Sequence, residues 1–435
     1  MSTGSLHVGL DEIVGREGNG TFTQSIGSHT IDGNLILAQN TAGKTGTFKM
    51  SSGSLSVGGN EIIGNTGIGD FTQSSGSHKI TGNLTLADLA GSTGTYTMKS
   101  GSLNVTGDEV IGNNGPATFT QSSGSNSAKT ISLAKNAPAT YNLNGGSVSA
   151  SSPALDAIHI NGPYDNNIPS AIGGNFNVTG KATVNGNVTN DGLVKTTNAN
   201  VTWNGIFTNN SAYVSDPGSK QTFKKDLVVN SNGYLVGQAP LGGSYTPPVA
   251  GQPFAQDLFL VEGNLVNQST LPNKWNTINA GLQFVSNGAS TSHNFDIAGI
   301  DNGQPGHFHV GAPGNIAAAN NFAWFDLNIT GQTITLKDVG AAGGAQYVGL
   351  FIDDLANVDT VNHIVKNIIG DNTATLNIYY DPDIVDNAYL GDATYSFLSG
   401  NGQLIPYHTP LPPSVVFLGS GLLGMGLLGY RRKRG

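Results

Sequence analysis

The chain has 435 residues, of which 62 are glycine and none cysteine; only 11% are charged, and the formal net charge is −9. Without cysteine there is no disulfide framework, thiolate metal site or cysteine nucleophile. The acidic balance, with no basic block outside the last five residues, leaves no electrostatic footprint for nucleic acid.

The first residues, Met1 to Gly15, have neither a basic segment nor an apolar stretch of signal-peptide length. Gly4-Ser5-Leu6-His7-Val8 already matches later repeat units, so a signal peptide and earlier coils are expected upstream. Three phrases then recur in order. TFTQS begins at Thr21 and Thr118, with DFTQS at Asp70; GSL begins at Gly4, Gly53 and Gly101; GNL begins at Gly33 and Gly82. Phe22, Phe71 and Phe119 lie 49 and 48 residues apart, and a half-repeat divides each period. One aromatic marks each half: Phe22, Phe48, Phe71, Tyr96, Phe119 and Tyr141.

Every half-repeat holds three short extended runs separated by Gly, Ser or Asn, which read as turns. One such unit cannot bury its few apolar side chains, whereas stacked units pair each backbone group with the coil above and below. The fold class expected is therefore all-β, a right-handed parallel β-helix with three short strands per coil. A β-propeller has a similar period, but its blades have no reason to divide into similar halves. The six aromatics should form one continuous stack, and Val8, Ile31, Val57, Ile80 and Val105 a second interior column.

Polar and apolar residues alternate coil by coil in three other columns. They read Gln24, Met50, Gln73, Met98, Gln121, Leu143; Leu6, His29, Leu55, His78, Leu103; and Glu12, Leu35, Glu61, Leu84, Glu109. The alternation sets each His-bearing coil between Glu-bearing ones. Contacts are expected from His29 to Glu12 or Glu61 and from His78 to Glu61 or Glu109; the alternative is that the corners turn these side chains into solvent.

Residues 1–150 thus form regular repeats, and 151–240 read as an irregular continuation. The Pro- and Gly-rich stretch from Gln238 to Pro253 marks a boundary, and 241–407 is a less regular β-rich region that caps or flanks the solenoid. Within it, the spacing of Leu355, Val358, Val361, Ile364, Val365 and Ile368 predicts a short amphipathic helix. His307 and His309, with His293 and Asp296 upstream, offer a weak metal-ligand pattern without a clear third ligand, and no metal or cofactor is expected. Catalytic motifs such as GxSxG or HExxH are absent.

Residues 408–435 form a tail: seventeen uncharged residues, Ser414 to Tyr430, end in Arg431-Arg432-Lys433-Arg434. An apolar helix with a basic end is oriented by the positive-inside rule, leaving the body on the outer side. Pro410-Leu411-Pro412-Pro413, the glycine-containing apolar run Val415 to Leu428 and the basic cluster resemble the PEP-CTERM sorting signal. Leu411 stands where that family usually has glutamate. The body's TFTQS, GNL and GSL phrases are similar to autotransporter-like β-repeat proteins that carry such tails.

The resemblance implies Sec export, transient residence in the inner membrane, removal of the tail by an exosortase-type enzyme, and release to the cell surface or exopolysaccharide matrix. An ordinary C-terminal membrane anchor would export the body as well. The expected function is an exported structural or adhesive protein, associated with exopolysaccharide or biofilm, and not an enzyme. A carbohydrate-active β-helix lyase or hydrolase is the alternative, to be recognised by carboxylates converging at one level of the solenoid.

Overall fold

The computed structural model describes residues 1–162, 173–216, 218–237, 257–288, 291–297, 322–338, 344–382 and 384–407. Over these residues the chain is a parallel β-solenoid. In the regular part each coil contributes one strand to each of three walls. Strands such as Thr45–Met50 form the first wall, Ser54–Val57 the second and Glu61–Ile63 the third. Fifteen strands stack in the third wall from Glu12–Val14 to Tyr395–Ser399, so the coils continue through the less regular region.

The repeated phrases are legible in the geometry. Phe22, Phe48, Phe71, Tyr96, Phe119 and Tyr141 form the expected stack, with adjacent ring centroids 4.9, 5.0, 4.8, 4.8 and 4.7 Å apart. Phe176 extends it at 5.2 Å. Val8, Ile31, Val57, Ile80 and Val105 are in register on the second wall, and the last four are buried.

The glycine of GSL is required twice over. Gly53 has φ +87°, and a Cβ there would sit 2.2 Å from the carbonyl oxygen of Gly27, its counterpart one coil below. The GN pair works with the same economy. Asn34 accepts a bond at Oδ1 from the amide of Asn60, whose Oδ1 accepts from Asn83, each at 2.8 Å. A Cβ on Gly59 or Gly82 would fall within 2.5 or 2.3 Å of those same amide oxygens.

Between residues 174 and 203 the first and second walls fuse. Gly174–Asn185 and Leu193–Trp203 run through both as single long strands. At the far end Tyr395–Ser399 and Gln403–Pro406 also pair antiparallel, folding the last coil back on itself. Such a hairpin blunts the edge that an open solenoid would otherwise present.

The amphipathic helix predicted over Leu355 to Ile368 does not form. Val358–Asp359 and Ile364–Ile369 are strands, paired antiparallel to each other. Ile364–Ile369 also joins the third wall, between Thr333–Lys337 and Tyr395–Ser399. Its β-branched Val365 and Ile368 are buried there, whereas Leu355 and Val361 are exposed. The Asp359 carboxylate accepts from the amides of Val361 and Asn362, making the turn. Among the described residues the one helical element is a 3-10 turn, Val385–Leu390, and no helix is long and apolar enough to cross a membrane. The Gln238 to Pro253 boundary and the tail, with its expected C-terminal apolar helix, lie outside the described residues.

Candidate functional site: an inner polar ladder and outer hydroxyl faces

The alternating columns point inward. Gln24, His29, Gln73, His78, Gln121 and Glu109 are fully buried, as is Glu61. Register places Leu6, His29, Leu55, His78, Leu103 and Asn126 one above another on the second wall. Glu12, Leu35, Glu61, Leu84 and Glu109 do the same on the third. Each histidine meets the glutamate one coil below: His29 Nε2 lies 2.8 Å from Glu12 Oε2, and His78 Nε2 lies 2.8 Å from Glu61 Oε2. These are ion-pair distances without hydrogen-bond alignment.

A hydroxyl that the periodicity had not flagged completes the ladder. Gln73 donates both Nε2 hydrogens, to the carbonyls of Gly76 and Ser102, so its Oε1 must accept. Tyr96, one coil above, donates to that Oε1 at 2.7 Å. Having spent its single hydrogen, the Tyr96 oxygen accepts from His78 Nδ1 at 3.0 Å. Nδ1 therefore carries a hydrogen, and the ring's other nitrogen, Nε2, faces Glu61.

The next module repeats this with an amide. Asn126 donates to Glu109 at 2.9 Å and to the Tyr141 hydroxyl at 3.2 Å, while Tyr141 donates to Gln121 at 2.6 Å. Burial pushes the Glu109 carboxyl up to about 7, with the Asn126 bond opposing it. Burial likewise raises the Tyr96 hydroxyl well above its ordinary value, helped by the nearby Glu61 and Glu109 carboxylates.

The first module lacks the hydroxyl. Phe48 stands where Tyr96 and Tyr141 stand, and Gln24 Oε1 and His29 Nδ1 are buried without a partner. The clue in the sequence was the Phe/Tyr choice itself, since both tyrosines of the stack follow a His- or Asn-bearing coil.

Outside, the walls carry hydroxyls in columns. On the first wall Thr95, Thr118 and Thr140 align, as do Thr72, Thr97 and Thr120. On the second, Ser28, Ser54, Ser77, Ser102, Ser125 and Ser147 align in an unbroken row. Lys49 and Asp70, neighbours on the first wall, are the charged interruptions of its two threonine columns.

The metal pattern is not assembled. His293 Nδ1 lies 2.7 Å from the carbonyl oxygen of Gly263 and Nε2 lies 3.1 Å from Gln332 Oε1, so both ring nitrogens are committed. Asp296 is buried, His307 and His309 lie outside the described residues, and no group of three metal-ligating side chains occurs among the described residues. The sorting-signal residues Pro410, Leu411, Pro412, Pro413, Arg431, Arg432, Lys433 and Arg434 also lie outside them.

By fold the chain belongs to the parallel β-solenoids. Comparisons with family models, with curated proteins and with solved structures returned no match.

Proposed function

We propose that this protein is an exported structural and adhesive component of the cell surface or extracellular matrix, held to exopolysaccharide by its outer faces. One observation carries the reading: in the regular coils hydroxyl columns run along two walls, about 4.8 Å from coil to coil, unbroken on the second wall and interrupted on the first by Lys49 and Asp70. A polymer of repeating hydroxyls meets the same groups again and again, and many weak contacts on a rigid support sum to firm retention. The parallel crossovers are taken to wind right-handed, as such connections almost always do.

The recurring carboxylates favour this over the enzymatic reading. Glu61 and Glu109 are sealed inside the walls, where no substrate reaches them. In the same proposal the apolar run Val415 to Leu428 enters the membrane, Arg431 to Arg434 orient it, and an exosortase-type enzyme cuts near Pro410.

The test is fractionation of the native host with intact-mass measurement of the protein. A surface or matrix fraction whose mass lacks the residues after Pro410 is expected. A product retaining the complete tail in the cytosol would overturn the proposal.

A further inference from the structure

At the corner after each third-wall strand the regular coils carry only Gly15, Ala38, Gly64, Ala87, Gly112 and Ala134, all with left-handed φ between 55° and 81°. Register carries this corner on through Asn161, Asp191, Asn210, Asn230 and Gln268, the residues that follow Ile160, Asn190, Asn209, Val229 and Asn267. A closed corner thus becomes a row of amides and one carboxylate. From Asp191 onward it lines a cavity of about 890 Å³ on the outer surface.

The row is ordered along the solenoid axis. His159 Nε2 lies 2.6 Å from Asp191 Oδ2, Asn210 donates to Asp191 Oδ1 at 2.8 Å, and Asn230 donates to Asn210 at 2.6 Å. The hydrogen bond with His159 holds the Asp191 carboxyl below its ordinary value, against the effect of burial. Leu271 and Lys274 add to the cavity wall. That wall is fastened in place, since Thr270 donates to the Ser231 carbonyl at 2.9 Å and Ser269 to the Gly233 carbonyl at 2.6 Å. Lys274 Nζ lies 5.6 Å from the centroid of the buried Tyr234 ring. The side-chain amides of Asn232 and Gln268 have no protein partner among the described residues.

We propose that this groove binds a linear oligosaccharide lying along the solenoid axis. Amides offer a donor and an acceptor side by side, which suits vicinal hydroxyls. Those of Asn210, Asn230 and Gln268 recur about every 4.8 Å over three successive coils, with the Asp191 carboxylate on the coil before, while Leu271 offers apolar contact to the C–H face of a sugar ring. An extended peptide is disfavoured because strand addition needs an open sheet edge, and the third-wall strands here are paired on both sides. The inference deepens the matrix reading and rests on it for the class of ligand.

Calorimetric titration of the full chain with cellohexaose and with a galacturonate hexamer separates neutral from acidic chains. Binding of at least one is expected. Gln268→Ala, which removes no side-chain hydrogen bond among the described residues, and Asn230→Ala should each weaken it about tenfold, while Lys274→Gln should weaken only the acidic arm. Thr97→Ala with Thr120→Ala, on the first wall, should leave groove binding unchanged. Absence of binding to both sugars at millimolar concentration overturns the groove, as does wild-type affinity in Gln268→Ala and Asn230→Ala together. Neither result moves the protein out of the matrix fraction, and a cytosolic location would not abolish groove binding, so the two proposals fail separately.

Discussion

Phe48→Tyr should stabilise the solenoid, because it supplies a hydroxyl that two of three otherwise equivalent modules possess. The geometry is ready for it: the His29 and Phe48 rings lie 5.9 Å apart at 16°, against 6.2 Å and 13° for His78 and Tyr96. The ring sits in the same stack, 4.9 Å from Phe22 and 5.0 Å from Phe71. The new hydroxyl would donate to Gln24 Oε1 and accept from His29 Nδ1, both now buried without partners. A buried unsatisfied group costs about 1–3 kcal/mol, and burial of the new hydroxyl offsets part of the gain, leaving about 1–2 kcal/mol. Because solenoids can unfold in parts, the assay is amide hydrogen exchange over residues 20–60 beside urea denaturation. Tyr96→Phe is the mirror experiment and should lose about 2 kcal/mol around His78. A neutral or destabilising Phe48→Tyr, together with a harmless Tyr96→Phe, would refute the ladder.

Glu109, raised by burial from 4.5 to about 7, binds its proton more firmly in the folded chain than in the unfolded one. Its contribution is therefore complete below about pH 4.5 and is lost as the pH rises to about 7, by about 3 kcal/mol. Urea midpoints from pH 4 to 8 should show this decline, and Glu109→Gln should flatten it in part, since burial also raises Asp257 and Asp326 to about 7. Gly53→Ala should cost at least about 2 kcal/mol in the same assay, from its φ of +87° and the 2.2 Å approach to Gly27. Replacing Arg431, Arg432, Lys433 and Arg434 by glutamine should impair membrane retention and processing, read by intact mass in fractionated cells.

What the sequence disclosed and what it hid follow from the same physics. The coil period, the aromatic stack and the inward alternation were readable because stacking forces equivalent residues into columns, and Phe22 to Tyr141 keep one place per unit. Partners within a coil were harder to see. The alternation pointed to the His29–Glu12 and His78–Glu61 contacts, but nothing in the spacing says that the Tyr96 hydroxyl links His78 to Gln73, because that depends on how the corners turn. The false helix arose where Val358, Val361, Ile364, Val365 and Ile368 mimic helical spacing, while the strands that claim Ile364–Ile369 lie far away in sequence. The groove was hidden by drift in coil length. Asn161, Asp191, Asn210, Asn230 and Gln268 are 30, 19, 20 and 38 residues apart, so no fixed period aligns them.

The claim that the outer faces hold this protein in a polysaccharide matrix is tested most directly by quantifying it in the native host with and without the exopolysaccharide. Polymer purified from the wild-type host should carry the processed protein, and a strain unable to make the polymer should release it into the medium. Equal partitioning in both strains, or recovery with the cytosol in either, would contradict the account.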